Sequence, residues 1–238
     1  MTMQIRDQKS EIRKYLGTWW TIIFRPIYFY TKLKEEDWKE GALTFFLISS
    51  WLLALAATLV IFVLQYIPIG STLVEGVAGF KFIIILPVLL TLIFVFFVVT
   101  FLILGGFFAA AFFIMFYLVG IVLHYTYLFL GGKGSLNRMV QSALYSSAVL
   151  LVGLVILFMT ILTKYAGLDF MLFRAGFNFF YFLMLLFAYG LWAVAGRKTY
   201  GVAKWQAFLG AVAPVIILLI FGLLFDKIAL SKLQPWIS

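Results

Sequence analysis

The stretch FIIILPVLLTLIFVFFVVTFLILGGFFAAAFFIMFYLVGIVLHYTYLFL, residues 82–130, decides what kind of protein this is. Its 49 residues include no Asp, Glu, Lys or Arg, and only His124 can carry a charge. A bilayer core of about 30 Å needs roughly 20 apolar residues in a helix. At 1.5 Å per residue this run would be about 73 Å long as one helix. That exceeds one ordinary crossing, so Pro87 and Gly105-Gly106 are expected to bend or divide it.

Working outward, four more runs have the same character. Residues 41–66 are uncharged and end at Pro68-Ile69-Gly70, with a loop expected over 71–81 that carries Glu75 and Lys81. On the other side, Gly131-Gly132-Lys133-Gly134-Ser135 closes the long run, because glycines supply turn conformations and Lys133 marks a water-facing surface. Ser135 is the expected N-cap of a span over 139–163. A polar connection with Lys164, Asp169 and Arg174 leads to a span over 175–195, closed by Gly196-Arg197-Lys198. The last span covers 205–225, before Asp226-Lys227 and a tail over 226–238. The expected fold is all-α: a polytopic transmembrane helical bundle of five spans, or six if the long run crosses twice.

Composition agrees. Of 238 residues, 65% are hydrophobic and 11% charged, with mean hydropathy +1.12. A soluble domain of this size cannot hide so much apolar surface. A disordered chain, a disulfide scaffold and a cysteine-based metal site are excluded, the last two because there is no Cys. The net charge of +9 does not imply nucleic-acid binding, since the basic residues gather at span edges and form no continuous stripe.

Residues 1–40 form a polar leader with no signal peptide expected, the first long apolar run starting at Gly41. Within it Ile5, Ile12, Leu16, Trp19 and Ile23 recur at helical spacing, with Arg6, Lys9, Arg13 and Lys14 on other sides. Such an amphipathic helix suits the headgroup layer, with Trp19 and Trp20 as interfacial anchors; a solvated leader packed on the rest of the protein is the alternative. Arg25-Pro26 should break the helix, and residues 31–40 read as an exposed linker or short helix. With five spans, the leader, the Lys133 loop and the Arg197 loop share one side and 13 of the 18 Lys and Arg. Six spans would leave 12 there. Both distributions place the N-terminus in the cytoplasm.

Catalytic chemistry has little to work with. The five expected spans contain no Asp, Glu, Lys or Arg, there is no H-E-x-x-H motif, and His124 is the single possible base. It reads as an interfacial or hydrogen-bonded packing residue, and nothing assembles with it into a metal site. No catalytic residue, cofactor or metal site is therefore assigned. Gly131–Ser135 is superficially like a phosphate loop, but Gly134 separates Lys133 from Ser135 and the flanks are membrane helices. Ser142 with Ser146, Ala143 with Ser147, and Gly106 with Ala110 each sit four apart, the small-residue spacing that lets membrane helices approach closely.

Three segments carry a family resemblance. The first is Phe24-Arg25-Pro26-Ile27-Tyr28-Phe29-Tyr30, followed by Trp38 and Ala42-Leu43-Thr44-Phe45. The second runs from Leu123-His124 through Gly131–Ser135 to Ala143-Leu144-Tyr145-Ser146-Ser147-Ala148. The third runs from Trp192 through Arg197-Lys198-Thr199-Tyr200-Gly201-Val202, Lys204 and Ala207 to Pro214. In this order the chain resembles the Yip domain family, polytopic membrane proteins named for interaction with Ypt/Rab-type GTPases. The resemblance implies a Yip-like transmembrane domain over 41–225, five spans, a cytoplasmic N-terminus, no enzymatic activity and work through partners. The short leader favours a prokaryotic-type member in the plasma membrane, beside a transporter or export complex.

The expected function is a non-catalytic membrane adaptor or scaffold. Its expected contacts with a membrane-protein partner or with membrane lipid are Arg25, Pro26, Gly131, Gly132, Lys133, Gly134, Ser135, Arg197 and Lys198. Backbone N–H groups of the glycine turn could hold an anion, with Lys133, Arg197 and Lys198 adding charge; the same residues could equally serve topology alone. The alternative is a transport component, channel or lipid-moving subunit, its path lined by Ser, Thr, Asn178 and Gln.

Overall fold

The structure, a computed structural model, describes residues 2–75 and 80–237. Expectations placed on the side chains of Ile5, Arg6, Lys9, Ser71, Glu75 and Lys81 fall outside the described set. All regular structure among the described residues is helical: α1 Thr2–Phe24, α2 Pro26–Lys32, α3 Gly41–Ile61, α4 Ile67–Glu75, α5 Phe80–Phe129, α6 Leu136–Tyr145, α7 Gly153–Tyr165, α8 Phe170–Tyr200, α9 Lys204–Phe225 and α10 Ser231–Ile237. Among the described residues, five helical stretches are long and apolar enough to cross a membrane: Gly41–Gly70, Ile84–Phe129, Leu136–Tyr165, Phe170–Tyr200 and Lys204–Pro235. The chain is thus an all-α integral membrane protein.

Several boundaries differ from the sequence reading. The long run is not divided: α5 continues unbroken for 50 residues through Pro87 and Gly105-Gly106, about 75 Å of helix. Gly105 is a packing position, since an added methyl there would overlap the ring of Trp51. Neither does Pro68 end the first span. A π-helical stretch, Phe62–Tyr66, precedes it, and the Ile67 N–H donates to the Phe62 carbonyl five residues back. This wider turn accommodates a proline that has no N–H and crowds the carbonyl of the preceding turn. It also releases the Val63 carbonyl, which accepts a 2.7 Å hydrogen bond from the Tyr165 hydroxyl.

Charges did not mark helix ends as expected. Helix α8 begins at Phe170 and runs on through Gly196-Arg197-Lys198 to Tyr200. It stops where Gly201 adopts φ +66°, the left-handed conformation that glycine reaches without a Cβ clash. Beyond α9, a π-helical stretch Asp226–Leu230 and α10 extend the helix to Ile237. Arg174 and Asp226 therefore lie within helices, where they form a 2.5 Å ion pair that Asn178 joins at 3.1 Å. Each charge has a partner, which makes its place in a span tolerable. The third span also changes its winding: Ser146–Val152 is 3-10 helix between α6 and α7.

The chain falls into two compact units, Met1–Ser49 with Phe112–Leu150 and Phe182–Gly222, and Ser50–Ala111 with Leu151–Tyr181 and Leu223–Ser238. The first has a core of large buried side chains that includes Ile22, Tyr30, Phe46, Phe116, Tyr127 and Trp192. Of the small-residue pairs, Ser142 with Ser146 and Ala143 with Ser147 are buried there. Gly106 and Ala110 are exposed, and Gly106 has nothing within 4 Å of where a Cβ would sit. The second unit contains an apolar cluster of Phe170, Phe173 and Leu230 with Met159, Phe177 and Phe225 against it.

Candidate functional site

The glycine turn joins α5 to α6 inside the first unit. Gly131 has φ +85° and donates its N–H to the Leu128 carbonyl at 3.0 Å, while the Gly132 N–H reaches the Tyr127 carbonyl at 2.9 Å. These bonds satisfy carbonyls that the end of α5 would otherwise leave free. The Lys133 N–H donates to the Tyr200 carbonyl at 3.1 Å, tying the turn to the end of α8. Neither Gly132 nor Gly134 has room for a methyl group, because residues 199–202 press directly on their backbone. Gln206 strengthens the junction. Its amide donates to the Leu130 carbonyl at 3.2 Å and accepts the Ala203 N–H at 2.9 Å. The Tyr200 hydroxyl bonds to His124 Nδ1 and donates to the Ser135 carbonyl at 3.3 Å.

This geometry corrects the anion-holding reading of the turn. The N–H groups of Gly131, Gly132 and Lys133 all donate to the chain's own carbonyls. Ser135 caps α6 by accepting the Arg138 N–H at 3.2 Å, and its hydroxyl donates to the carboxylate of Glu35. A carboxylate already at the turn repels a second anion. What remains available are side chains: Lys133, Arg197 and Lys198 are all exposed.

Glu35 belongs to a strap that the sequence did not reveal. The linker after α2 lies along the start of α6, held by Asn137 to the Glu36 carbonyl (2.9 Å), Arg138 to the Leu33 carbonyl (3.3 Å) and Gln141 to the Lys34 carbonyl (3.1 Å). Three polar residues at helical spacing heading an apolar span, Asn137, Arg138 and Gln141, were the available signal. Arg138 is therefore a half-buried structural group.

Arg25 and Pro26 sit elsewhere, at the break between α1 and α2. Arg25 adopts φ −136° because the residue before proline is excluded from helical geometry. No hydrogen bond joins them to the glycine turn among the described residues. Their neighbours anchor the leader to the first unit: Trp19 Nε1 donates to the Ala148 carbonyl at 3.1 Å, and the Tyr30 hydroxyl to the Ser142 carbonyl at 3.3 Å. Tyr15 and Ser49 share a 2.8 Å hydrogen bond. Burial pushes the Tyr30 phenol well above its ordinary pKa, and Tyr15 likewise, with the Ser49 bond partly offsetting the rise.

Deeper in the unit, Trp192 Nε1 donates to Ser146 Oγ at 2.8 Å, and the Tyr127 hydroxyl is shared between the carbonyls of Trp192 and Ala207 at 3.1 and 2.8 Å. Gln141 Oε1 and Ser147 Oγ are buried without a partner among the described residues. His124 is a hydrogen-bonded packing residue, and no group of three His, Cys, Asp or Glu suited to a metal occurs among the described residues. The chain matches no protein-family model, no curated protein and no solved structure.

Proposed function

We propose that this protein is a non-catalytic adaptor or scaffold of the plasma membrane, with its N-terminus in the cytoplasm. It would work by holding a membrane-protein partner such as a transporter or export complex. The observation that carries the reading is the clamped junction of Lys133 with Tyr200: two helix ends are locked together, and they hold Lys133, Arg197 and Lys198 out as a fixed basic platform. A rigid charged surface limits the conformational entropy lost when an acidic partner segment binds. The resemblance to the Yip domain family points the same way, as does the excess of basic residues on the side assigned to the cytoplasm.

Cross-linking in membranes, followed by purification in mild detergent and identification of the captured proteins, tests this. The variant Lys133→Gln/Arg197→Gln/Lys198→Gln should insert normally and lose the captured partner. Capture undiminished by the triple change defeats the reading.

One observation favours a second reading, a transport component: the buried Gln141 Oε1 and Ser147 Oγ lack partners among the described residues, and unpaired buried polar atoms suit a water or a small polar solute. Uptake of a polar solute by liposomes containing only this protein would support it.

A further inference from the structure

The α1–α2 elbow is apolar on two flanks, and one of them is covered. Its inner flank rests on the first unit through Tyr15, Ile22 and Tyr30, all buried, and through Phe29, whose ring meets Tyr145 edge-on at 5.1 Å. The outer flank is bare. Ile12, Leu16, Trp20 and Phe24 recur every fourth residue along α1, each more than half exposed, and Ile27 and Tyr28 continue the stripe into α2 at 62% and 52% exposure. Residues four apart share a helix face, so the stripe is continuous up to the elbow. There it opens into a groove of about 540 Å³, walled by Phe24, Pro26, Ile27 and Tyr28 and rimmed by Arg25 and Lys32.

The two cations identify the occupant. The Arg25 guanidinium makes no hydrogen bond or ion pair among the described residues, and it is exposed. Lys32 is held at the rim by donating to the Tyr28 hydroxyl at 2.9 Å, its ammonium 4.5 Å from the Tyr28 ring centre. The nearest acid in sequence with a defined partner, Glu35, is directed to Ser135. An apolar floor with an uncompensated cationic rim suits a molecule that is anionic at one end and apolar along its length. In a chain with five spans, the molecule of that description within reach is a membrane lipid. We infer that the outer flank of the elbow binds an anionic phospholipid, the phosphate between Arg25 and Lys32 and an acyl chain along Phe24, Ile27 and Tyr28. This goes beyond the adaptor reading, which stands or falls on the Lys133 platform.

Native mass spectrometry of the full chain in mild detergent, with phosphatidylglycerol and phosphatidylcholine added in equal amounts, tests the site. The unmodified chain should retain phosphatidylglycerol preferentially. Arg25→Gln/Lys32→Gln should lower that preference by roughly an order of magnitude, given the usual contribution of basic residues beside anionic lipid. The charge-preserving exchange Arg25→Lys/Lys32→Arg should keep most of it. On the unmodified chain, about 0.5 M salt should also weaken it, because charge attraction at an exposed rim is screened. If the Gln variant retains the full preference, or if the preference disappears only with Lys133→Gln/Arg197→Gln/Lys198→Gln, the elbow is not the site. Equal retention of both lipids by the unmodified chain overturns the inference outright.

Discussion

Gly196 packs against the ring of Tyr127, so close that no Cβ fits between them. From α9, Gly210 meets the same ring with equally little space. The ring is thus held between two helices whose carbonyls, Trp192 and Ala207, share its hydroxyl. Sequence reading took Gly196 as a helix terminator. It is a contact surface inside α8, which runs on to Tyr200.

Gly196→Ala and Gly210→Ala should therefore each destabilise the protein by about 1–3 kcal/mol, the usual cost of overpacking a filled interior. Tyr127→Phe keeps the ring and removes the hydroxyl, so its cost should be smaller, about 1 kcal/mol. Thermal unfolding of the detergent-solubilised protein, followed by loss of the monodisperse gel-filtration peak, gives the ranking. A Tyr127→Phe cost above both Gly variants would mean that the hydrogen bonds, rather than the fit, hold the junction.

Adjacent glycines in α5 supply an internal control. Gly105 faces the Trp51 ring, whereas Gly106 has nothing within 4 Å. Gly105→Ala should destabilise through overlap with the indole. Gly106→Ala should be neutral or stabilise by up to about 1 kcal/mol, because alanine favours helix over glycine. The same thermal assay decides it. Equal effects at the two positions would show that contact with Trp51 does not set the cost at Gly105.

At the glycine turn, Ser135→Ala removes both the N-cap of α6 and the partner of Glu35. A cap of this kind is worth about 1 kcal/mol. If the strap is anchored as described, the variant should also expose the linker: proteolysis near residues 33–36 should quicken, while Lys133→Gln leaves it unchanged. Unaltered cleavage in Ser135→Ala would mean that Asn137, Arg138 and Gln141 hold the strap unaided.

How much was legible in the sequence follows from what each feature depends on. The five spans were readable because long charge-free runs have few alternatives to a membrane. Their ends were not, since a charge can stay helical once partnered. Arg174 and Asp226 neutralise each other across 52 positions of sequence. Arg197 and Lys198 occupy the last turn of α8, where the helix dipole favours cations. Pro68 was read as a break because a π-helical turn has no simple sequence signature. The glycine turn and the Ser135 cap were visible because their causes are local. Tyr200, Gln206 and Glu35, which determine what that turn can bind, come from distant segments, and no spacing rule connects them.

Topology is the most direct test of the arrangement as a whole. The turn before α6 and the connection after α8 meet through Lys133 and Tyr200, so both must lie on one side of the membrane. Ser135 in turn meets Glu35 of the leader, so residues 130–135 share the leader's side, and with α3 crossing once α5 must cross once. Lys133 is the exposed position in this turn and serves as the labelling site. Single cysteines at Lys133→Cys, Ser71→Cys and Ser231→Cys, introduced into a chain that has none, should separate cleanly. A membrane-impermeant thiol reagent applied to intact cells should label positions 71 and 231 and spare 133, which should react only after the membrane is opened. Labelling at 133 from outside, with 71 and 231 protected, would keep the five spans but invert them. The basic platform would then face away from the cytoplasm, against the positive-inside bias, and any partner bound there would be extracytoplasmic.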